Sequence, residues 1–363
     1  MNKLSAYLHV PFCRRKCAYC DFYSAPPADG AVSSYAKALA AQIRSSPQKG
    51  RALYTVYLGG GTPSLLSPDD FALIVSALRD TFDISSCAEF TVECNPESVT
   101  PALVDCWLSH GVDRVSMGIQ TFSDAALARL GRLHTAARAQ EAHQELRRCG
   151  VKKVSLDLMA ALPDQTISQL ESDLDAMIAL SPEHVSVYLL KIEPRSALGR
   201  AGVAEADEDL QREMYLTTHR RLTEAGFEHY EISNFAKSGF RALHNSHYWQ
   251  GGEYLAFGPN ASGFVDGVRF RIPADTAAFC AANGQVTPIV EELVNGEEAA
   301  REKILLGLRC SDGIPVSAVS PEKQSLLQPL CRAGLATLSN GRFALTAEGF
   351  LVSDAVISHL MPE

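Results

Sequence analysis

Between residues 6 and 190 the chain alternates repeatedly between short apolar runs and longer amphipathic ones. The short runs are apolar throughout rather than at every second position, which is typical of strands buried on both faces. The longer runs repeat apolar residues every three or four positions, as helices do. We therefore predict an α/β fold in which a partial (β/α)6 barrel of parallel strands is covered by helices. The predicted strands are 6–10, 53–58, 89–93, 114–119, 153–159 and 184–190.

Past residue 200 the alternation weakens. We predict a long helix over 205–226, a further strand over 227–235 and a loop region rich in glycine, tyrosine and histidine over 238–264. The end of the chain has helical runs around a short hairpin turned by Asn340-Gly341, which is typical of a small α+β winged-helix-like domain. The predicted domains are the barrel at 1–200, a barrel-completing segment at 201–296 and the C-terminal domain at 297–363.

Charge and hydropathy disfavour several classes of function. The net charge of -9 disfavours nucleic acid as the main partner, because such complexes depend on Lys and Arg neutralising phosphates. Residues 301–363 hold six basic and six acidic side chains, which favours packing over DNA binding for the winged-helix-like domain. No apolar run is long enough to span a bilayer, and the N-terminus lacks the apolar core of a secretory signal. We therefore expect a cytoplasmic protein with reduced cysteines.

Three cysteines within eight residues, Cys13, Cys17 and Cys20, follow the first predicted strand. The spacing C-x3-C-x2-C lets one loop wrap three thiolates round a single inorganic centre. One alternative is a zinc site completed by a distant histidine or cysteine. Structural zinc usually takes four ligands from paired motifs, however, and the sequence has no second pair. The pattern favours a [4Fe–4S] cluster in which one iron keeps an open coordination position.

The segment CRRKCAYC resembles the cysteine signature of the radical S-adenosylmethionine (SAM) enzymes, and the resemblance extends over most of the chain. It implies a radical-SAM barrel in which SAM binds the open iron through its amino and carboxylate groups. It also implies that an electron from the cluster can split SAM into methionine and a 5′-deoxyadenosyl radical. Phe12, Tyr19 and Phe22 would cover this chemistry and exclude water.

Further residues of the predicted site stand at the ends of successive strands, where chemistry collects in barrels of this kind. The glycines of GGGTPSLL allow a ligand to approach the backbone closely. By the resemblance, this run receives the SAM amino group, while Glu93 and Asp157 face the amino or ribose groups and Arg132 meets the carboxylate. The implied SAM contacts are Tyr7, Gly59, Gly60, Gly61, Thr62, Glu93, Gln120, Arg132 and Asp157.

The run that begins at Asp157 departs from the family pattern. The family has D-L-x-x-G-L-P, whereas this chain has DLMAALP, with alanine at position 161. The carboxylate is kept, but the close backbone approach that a glycine permits is in question at Ala161.

Six motifs narrow the resemblance to the group that contains the oxygen-independent coproporphyrinogen III dehydrogenases and the haem chaperones called HemW. These motifs are TPSLL, ECNPES, GIQTF, RLGRLH, DLMAALPDQT and HNSHYW. Three features favour the chaperones. The dehydrogenases have a further cysteine where this chain has Phe22, and a longer N-terminal arm than the position of Cys13 leaves room for. The third feature is H-N-x-x-Y-W at residues 244–249, a signature associated with haem binding in HemW-like proteins.

The HNxxYW segment has a chemical rationale as a haem site. Histidine is a common axial ligand of haem iron, and Tyr248 and Trp249 offer flat apolar area to a porphyrin. Asn245 can orient the imidazole of His244. His247 is an alternative ligand, and an aromatic loop packed over the barrel is the structural alternative to a haem site.

The resulting hypothesis is a haem chaperone that holds a SAM-ligated [4Fe–4S] cluster, binds haem and transfers it to apo-haemoproteins, respiratory ones above all. Its expected partners include a reductant for the cluster, and it is expected to meet the membrane only peripherally. The alternative is an enzyme, the oxygen-independent coproporphyrinogen III dehydrogenase, in which the radical takes hydrogen from a propionate and CO2 departs. The sequence alone leaves open whether the chain catalyses a reaction.

Overall fold

The predicted alternation of strands and helices is confirmed in the computed structural model, which describes residues 3–362. Within that range, six parallel strands pair side by side in chain order, and helices connect each strand to the next. The strands are β1 Leu4–Val10, β2 Leu53–Gly60, β3 Glu89–Cys94, β4 Arg114–Gln120, β5 Lys153–Ala160 and β6 His184–Leu189. The helices are α1 Ala31–Arg44, α2 Pro68–Thr81, α3 Pro101–Ser109, α4 Asp124–Arg129, α5 Ala136–Arg148 and α6 Ile167–Ala179.

Capping residues explain where several of these helices begin. The Ser67 side chain accepts a hydrogen bond from the backbone N–H of Asp70 at the start of α2, where Pro68 is the first helical residue. The Thr100 side chain accepts one from the N–H of Leu103 at the start of α3. These bonds satisfy amide groups that a helix otherwise leaves unpaired. The strand-to-helix connections therefore have defined lengths, which fixes the residues that stand at each strand end.

Past β6 the chain adds strands at both edges of the sheet. These elements are α7 Ala197–Arg200, α8 Glu208–Glu224, β7 Glu228–His229, β8 Asn234–Ala236, α9 Leu243–Trp249, β9 Glu253–Phe257, β10 Ser262–Val265, β11 Val268–Arg271, α10 Thr276–Ala281 and β12 Ile289–Leu293. Strand β9 pairs in parallel with β1, and β8 pairs antiparallel with β6. The six parallel strands thus form a barrel that is extended at both edges rather than closed.

Two predictions for this segment are wrong. Residues 227–235 form two short antiparallel strands instead of one, because the chain turns where Asn234 N–H donates to the carbonyl of Glu231. Residues 238–264 contain α9, β9 and most of β10 instead of a loop. The helical pattern of α9 is hidden in the sequence because its buried positions, His244 and His247, are histidines rather than aliphatic residues.

The C-terminal elements pack round a core of their own. The predicted hairpin is present, and Asn340 and Gly341 have φ angles of 50° and 72°, as a type I′ turn requires. The elements are α11 Gly296–Gly307, β13 Ile314–Pro315, α12 Leu327–Arg332, β14 Ala336–Ser339, β15 Arg342–Leu345, α13 Ala347–Leu351 and α14 Ser353–Leu360. Their buried apolar side chains, from Ile304 to Leu360, form a cluster separate from the core of the barrel. Throughout residues 3–362, every helix is too short or too polar to cross a bilayer.

Candidate functional site

A cavity of about 340 Å³ opens where the barrel strands end. This volume is within the range of small-ligand sites, about 300–1,000 Å³. It lies at the carboxyl ends of the strands, where the strand-end residues of a barrel converge. Of the residues predicted from the sequence, those that line it are Cys13, Cys17, Cys20, Gly60, Gly61, Thr62, Glu93, Gln120, Arg132 and Asp157.

The three cysteine thiols line this one cavity. No group of three metal-binding side chains within residues 3–362 lies close enough together to hold a single ion. A structural zinc ion needs four ligands on one metal, whereas in a cubane cluster each thiolate binds a different iron atom. Thr62 Oγ1 donates to Cys13 Sγ at 3.4 Å, and Arg132 Nη1 donates to Cys17 Sγ at 3.5 Å. Both sulfur atoms therefore accept a hydrogen bond from a side chain at the cavity.

The aromatic cover predicted for the cysteine loop is formed only in part. Tyr19 and Phe22 line the cavity, and Phe22 stays 67 % exposed. Phe12 instead lies in the core of the barrel, where its ring meets Tyr35 edge-on with a centroid distance of 5.4 Å. The first aromatic residue therefore anchors the loop to the barrel, and the other two shield the cavity.

The glycine run sits directly beneath the cysteine loop. The N–H of Gly61 donates to the carbonyl of Val10 at 2.8 Å. A β-carbon at Gly61 would lie 2.5 Å from the carbonyl oxygen of Phe12 and 2.7 Å from that of Val10. Any other residue would push the cysteine loop away from the strand end, so the glycine is needed to keep the loop on its cavity.

Two buried carboxyl groups face the cavity on neighbouring parts of the sheet. Tyr57 Oη donates to Glu93 Oε1 at 2.7 Å, and the N–H of Gly60 donates to Oε2 at 3.0 Å. Burial, together with the nearby Asp157, nevertheless raises the pKa of Glu93 to about 7. Burial likewise raises the pKa of Asp157 to about 6, against hydrogen bonds from Ser186 and Ser116. A cationic ligand in this cavity would stabilise both carboxylates.

Replacing Glu93 with glutamine should change how stability depends on pH. Because folding raises the pKa of Glu93 from 4.5 to about 7, its contribution is fully present below pH 4.5 and is lost as the pH rises through 7. The Glu93→Gln variant does not lose this contribution. The difference in free energy of unfolding between the variant and the wild type should therefore shift by about 3 kcal/mol in favour of the variant between pH 4.5 and 8. Urea denaturation without added ligand measures this difference, and parallel pH curves for the two proteins would contradict it.

Hydrogen bonds hold Arg132 in the cavity, and one of its buried N–H donors has no acceptor in the part of the chain that the structure describes. Its Nη2 donates to Asn95 Oδ1 at 2.8 Å and to the carbonyl of Gly118 at 2.6 Å. Its Nε is buried and finds no acceptor among residues 3–362. A buried donor without a partner is costly, and a carboxylate is the acceptor that a guanidinium matches best. The predicted contact between Arg132 and a ligand carboxylate therefore fits this geometry.

Two residues at strand ends have strained backbones. Gln120 ends β4 with a φ of 73°, beside a register shift between β4 and β5. Ala161, the alanine that stands where the family has glycine, has a φ of 57°. A residue with a β-carbon adopts this left-handed region at a cost of about 1–2 kcal/mol. The family glycine is explained by this backbone conformation.

Replacing Ala161 with glycine should therefore stabilise the protein. Relief of the left-handed strain exceeds the extra entropy of a glycine in the unfolded chain, so we expect a gain of about 1 kcal/mol in the free energy of unfolding. The neighbouring Ala160, which ends β5 with extended backbone, is the matched control. Ala160→Gly should lose about 0.5–1 kcal/mol, and urea denaturation that ranks the two variants the other way would contradict the argument.

Several predicted residues lie away from the cavity. The Tyr7 hydroxyl is 3.0 Å from His9 Nδ1, and Gly59 packs against Tyr57 and Glu93 below the cavity floor. The HNxxYW segment is α9, at the opposite end of the barrel. There the N–H groups of Leu243 and His244 each donate to the Glu89 carboxylate at 3.0 Å, at the first residue of β3. The start of the HNxxYW segment therefore lies at the amino-terminal ends of the strands, and the cavity lies at their carboxyl ends.

His244 points into the barrel, where it is 1 % exposed. Its Nδ1 is 2.7 Å from Thr55 Oγ1, and its Nε2 is 2.6 Å from Tyr248 Oη. The ring partners are thus Thr55 and Tyr248 instead of the predicted Asn245. Neither nitrogen of His244 is free for iron in this conformation, and Nε2 of His247 lies 2.9 Å from the carbonyl oxygen of Glu253. Haem ligation by His244 stays a prediction that requires α9 to move.

Sequence reasoning missed other residues of the cavity. Among them are Cys94, Ser116, Met159 and Tyr188. Two of them could have been found by strand periodicity, because alternate residues of a strand face the same side. Ser116 precedes Gln120 by four residues on β4, and Met159 follows Asp157 by two residues on β5.

Two family models match separate parts of the chain. The model of the Radical SAM superfamily matches residues 7–177, and that of the HemN C-terminal domain matches residues 294–352. A protein named Heme chaperone HemW from Mycobacterium tuberculosis (strain CDC 1551 / Oshkosh) is 34 % identical over 368 residues, or 98 % of this chain and 94 % of the relative. One of the same name from Lactococcus lactis is 33 % identical over 316 residues, or 86 % of this chain and 83 % of the relative.

A solved structure confirms the predicted fold. Coproporphyrinogen III oxidase (HemN) from Escherichia coli, described as a radical SAM enzyme, superposes with a TM-score of 0.86 at 20 % sequence identity. The match covers 99 % of this chain and 90 % of that one. The partial barrel and the added C-terminal domain are therefore the radical SAM fold that the sequence predicted.

Proposed function

The chain belongs to the family of heme chaperone HemW proteins within the radical SAM superfamily, and on this premise we propose that it binds haem and transfers it to apo-haemoproteins. The same proposal includes a [4Fe–4S] cluster and SAM as resident groups. It further includes a cytoplasmic location, respiratory haemoproteins as recipients, a reductant for the cluster and a peripheral encounter with the membrane.

The observation that carries the cofactor part is the shared cavity of the cysteine loop, the glycine run and the buried carboxyl groups. Cys13, Cys17 and Cys20 would hold the cluster, which supplies an open iron and an electron when it is bound. Arg132, with its unpartnered buried Nε, would hold the SAM carboxylate. Glu93, whose raised pKa reflects an uncompensated burial, would pair with a cationic group of the ligand.

The protein's own contribution at this site is orientation and shielding. Gly61 keeps the cysteine loop against the strand ends, since a β-carbon there would collide with the carbonyls of Val10 and Phe12. Tyr19 and Phe22 cover the cavity from the loop side. Asn95 holds the guanidinium of Arg132 toward the cavity through its 2.8 Å hydrogen bond. We propose that this arrangement excludes water and competing donors from the bound groups.

An anaerobic haem titration tests the chaperone proposal. Cluster-reconstituted protein is titrated in the presence of SAM, and the Soret band of bound haem is followed. Saturable binding near one haem per chain, with later transfer of that haem to an apo-haemoprotein, is the expected result. Absence of saturable binding, together with conversion of coproporphyrinogen III to protoporphyrinogen IX under reducing conditions, would overturn it in favour of the dehydrogenase.

A further inference from the structure

A second cavity lies between α9 and the C-terminal domain, at the end of the barrel opposite the cysteine loop. Its volume is about 500 Å³. Apolar side chains supply much of its wall, among them Trp249 from α9, Phe264 from β10, Leu306 from α11 and Ile314 from β13. The size and the mixed composition of the wall suit a flat organic ligand that carries charged groups at one edge.

The helical period divides the HNxxYW segment between two faces of α9. His244 and Tyr248 are four residues apart and point into the barrel, where they contact each other. Ser246 and Trp249 are three residues apart and line the second cavity. A ligand that meets this segment from outside the barrel therefore contacts the face of Trp249 and not that of His244.

The second cavity carries an uncompensated positive charge. Lys303 and Arg342 line it, and no carboxylate in the described residues 3–362 forms an ion pair with either. Arg342 donates instead to the backbone carbonyls of Asp312 at 2.7 Å and Gly313 at 2.6 Å.

The acidic residues of the same wall are already paired. Glu302 lies 2.8 Å from Arg269, and Asp312 lies 2.9 Å from Arg241. The charge left over for a ligand is therefore positive, which favours an anionic one.

We propose that haem is held in this second cavity, with its porphyrin face against Trp249 and its propionates toward Lys303 and Arg342. An apolar macrocycle with two carboxylates matches apolar walls beside two cations. The inference rests on the proposed function. It adds a binding site for the haem and a role for the C-terminal domain in holding it. It also leaves His244 inside the barrel as a positioning residue for α9.

Two matched pairs of variants test this haem-binding site. Ala299 lines the cavity from α11, whereas its neighbour Ala300 is exposed outside it. Ala299→Trp fills the cavity and should weaken haem binding at least about tenfold, whereas Ala300→Trp should not change it. Lys303→Glu should weaken haem binding about tenfold, whereas Arg301→Glu, the same charge change elsewhere on α11, should have little effect.

The readout is the dissociation constant from the anaerobic titration of the full chain, with circular dichroism and cluster absorbance to show that each variant is folded. Haem dimethyl ester, which lacks the propionate charges, provides a second probe. The wild type should prefer haem over the ester, and Lys303→Glu should abolish the preference.

The outcomes separate this inference from the proposed function. Saturable haem binding by the wild type that is unchanged in Ala299→Trp and Lys303→Glu would overturn the placement of haem in the second cavity. It would leave the chaperone proposal intact. An equal loss in both members of a pair would also count against the cavity. If the wild type binds no haem, the proposed function itself fails.

Discussion

Replacing Cys17 with serine should remove the iron–sulfur cluster altogether. The cysteine loop offers three thiols to the cluster, and a cluster with one open iron needs all three. Cys17 also has a positive neighbour, since Arg132 Nη1 donates to its sulfur at 3.5 Å. Iron and sulfide content after anaerobic reconstitution, together with visible absorbance, should fall to the level of protein that was never reconstituted.

The matched control for this prediction is Cys149→Ser. Cys149 is a half-buried residue at the end of α5, away from the cavity, so its substitution should leave the iron content unchanged. If Cys17→Ser kept a full cluster while the control behaved like the wild type, the cysteine loop would not be the cluster site. Loss of iron in both variants would instead point to general misfolding.

The second large effect is expected at the opposite end of the barrel, where Glu89 and Arg114 form a buried ion pair. Their side chains are 2 % exposed, and Arg114 Nε lies 3.6 Å from Glu89 Oε2. The Glu89 carboxylate also accepts from the N–H groups of Leu243 and His244, which fixes the start of α9. Glu89→Ala leaves a buried guanidinium without its partner and should cost about 3–5 kcal/mol in the free energy of unfolding.

Urea denaturation measures this loss, and two further variants identify its cause. The double variant Glu89→Ala/Arg114→Met removes the uncompensated charge as well and should recover part of the stability. Glu141→Ala breaks an exposed pair with Arg138 and should change stability by less than about 0.5 kcal/mol. A loss in Glu89→Ala no larger than in Glu141→Ala would mean that the ion pair does not hold α9 in place.

Haem binding provides a further readout for the same variant. Because α9 carries Trp249 on its outer face, its displacement in Glu89→Ala should also weaken the proposed haem site. The stability loss and the binding loss are expected to recover together in the double variant. Recovery of stability without recovery of binding would show that Arg114 or Glu89 positions α9 through a contact other than their ion pair.

The local patterns of the sequence determined the barrel and the position of the cysteine loop. Buried parallel strands need continuous apolar runs and amphipathic helices need a regular period, so both are visible from neighbouring residues alone. The spacing of Cys13, Cys17 and Cys20 is likewise local, because one loop supplies all three thiols. The strand-end positions of Glu93 and Asp157 follow from the same strand predictions.

The tertiary structure decided what depends on residues far apart in the chain. His244 meets Thr55 across 189 residues, and Arg132 meets Asn95 across 37, so neither contact leaves a period in the sequence. The HNxxYW segment was predicted as part of a loop, but packing made it a helix with two separate faces. The backbone at Ala161 is left-handed because the turn after β5 requires it, whichever residue stands there. Local residue choice therefore specified the elements and the cysteine loop, whereas long-range packing specified which side chains face the cavity.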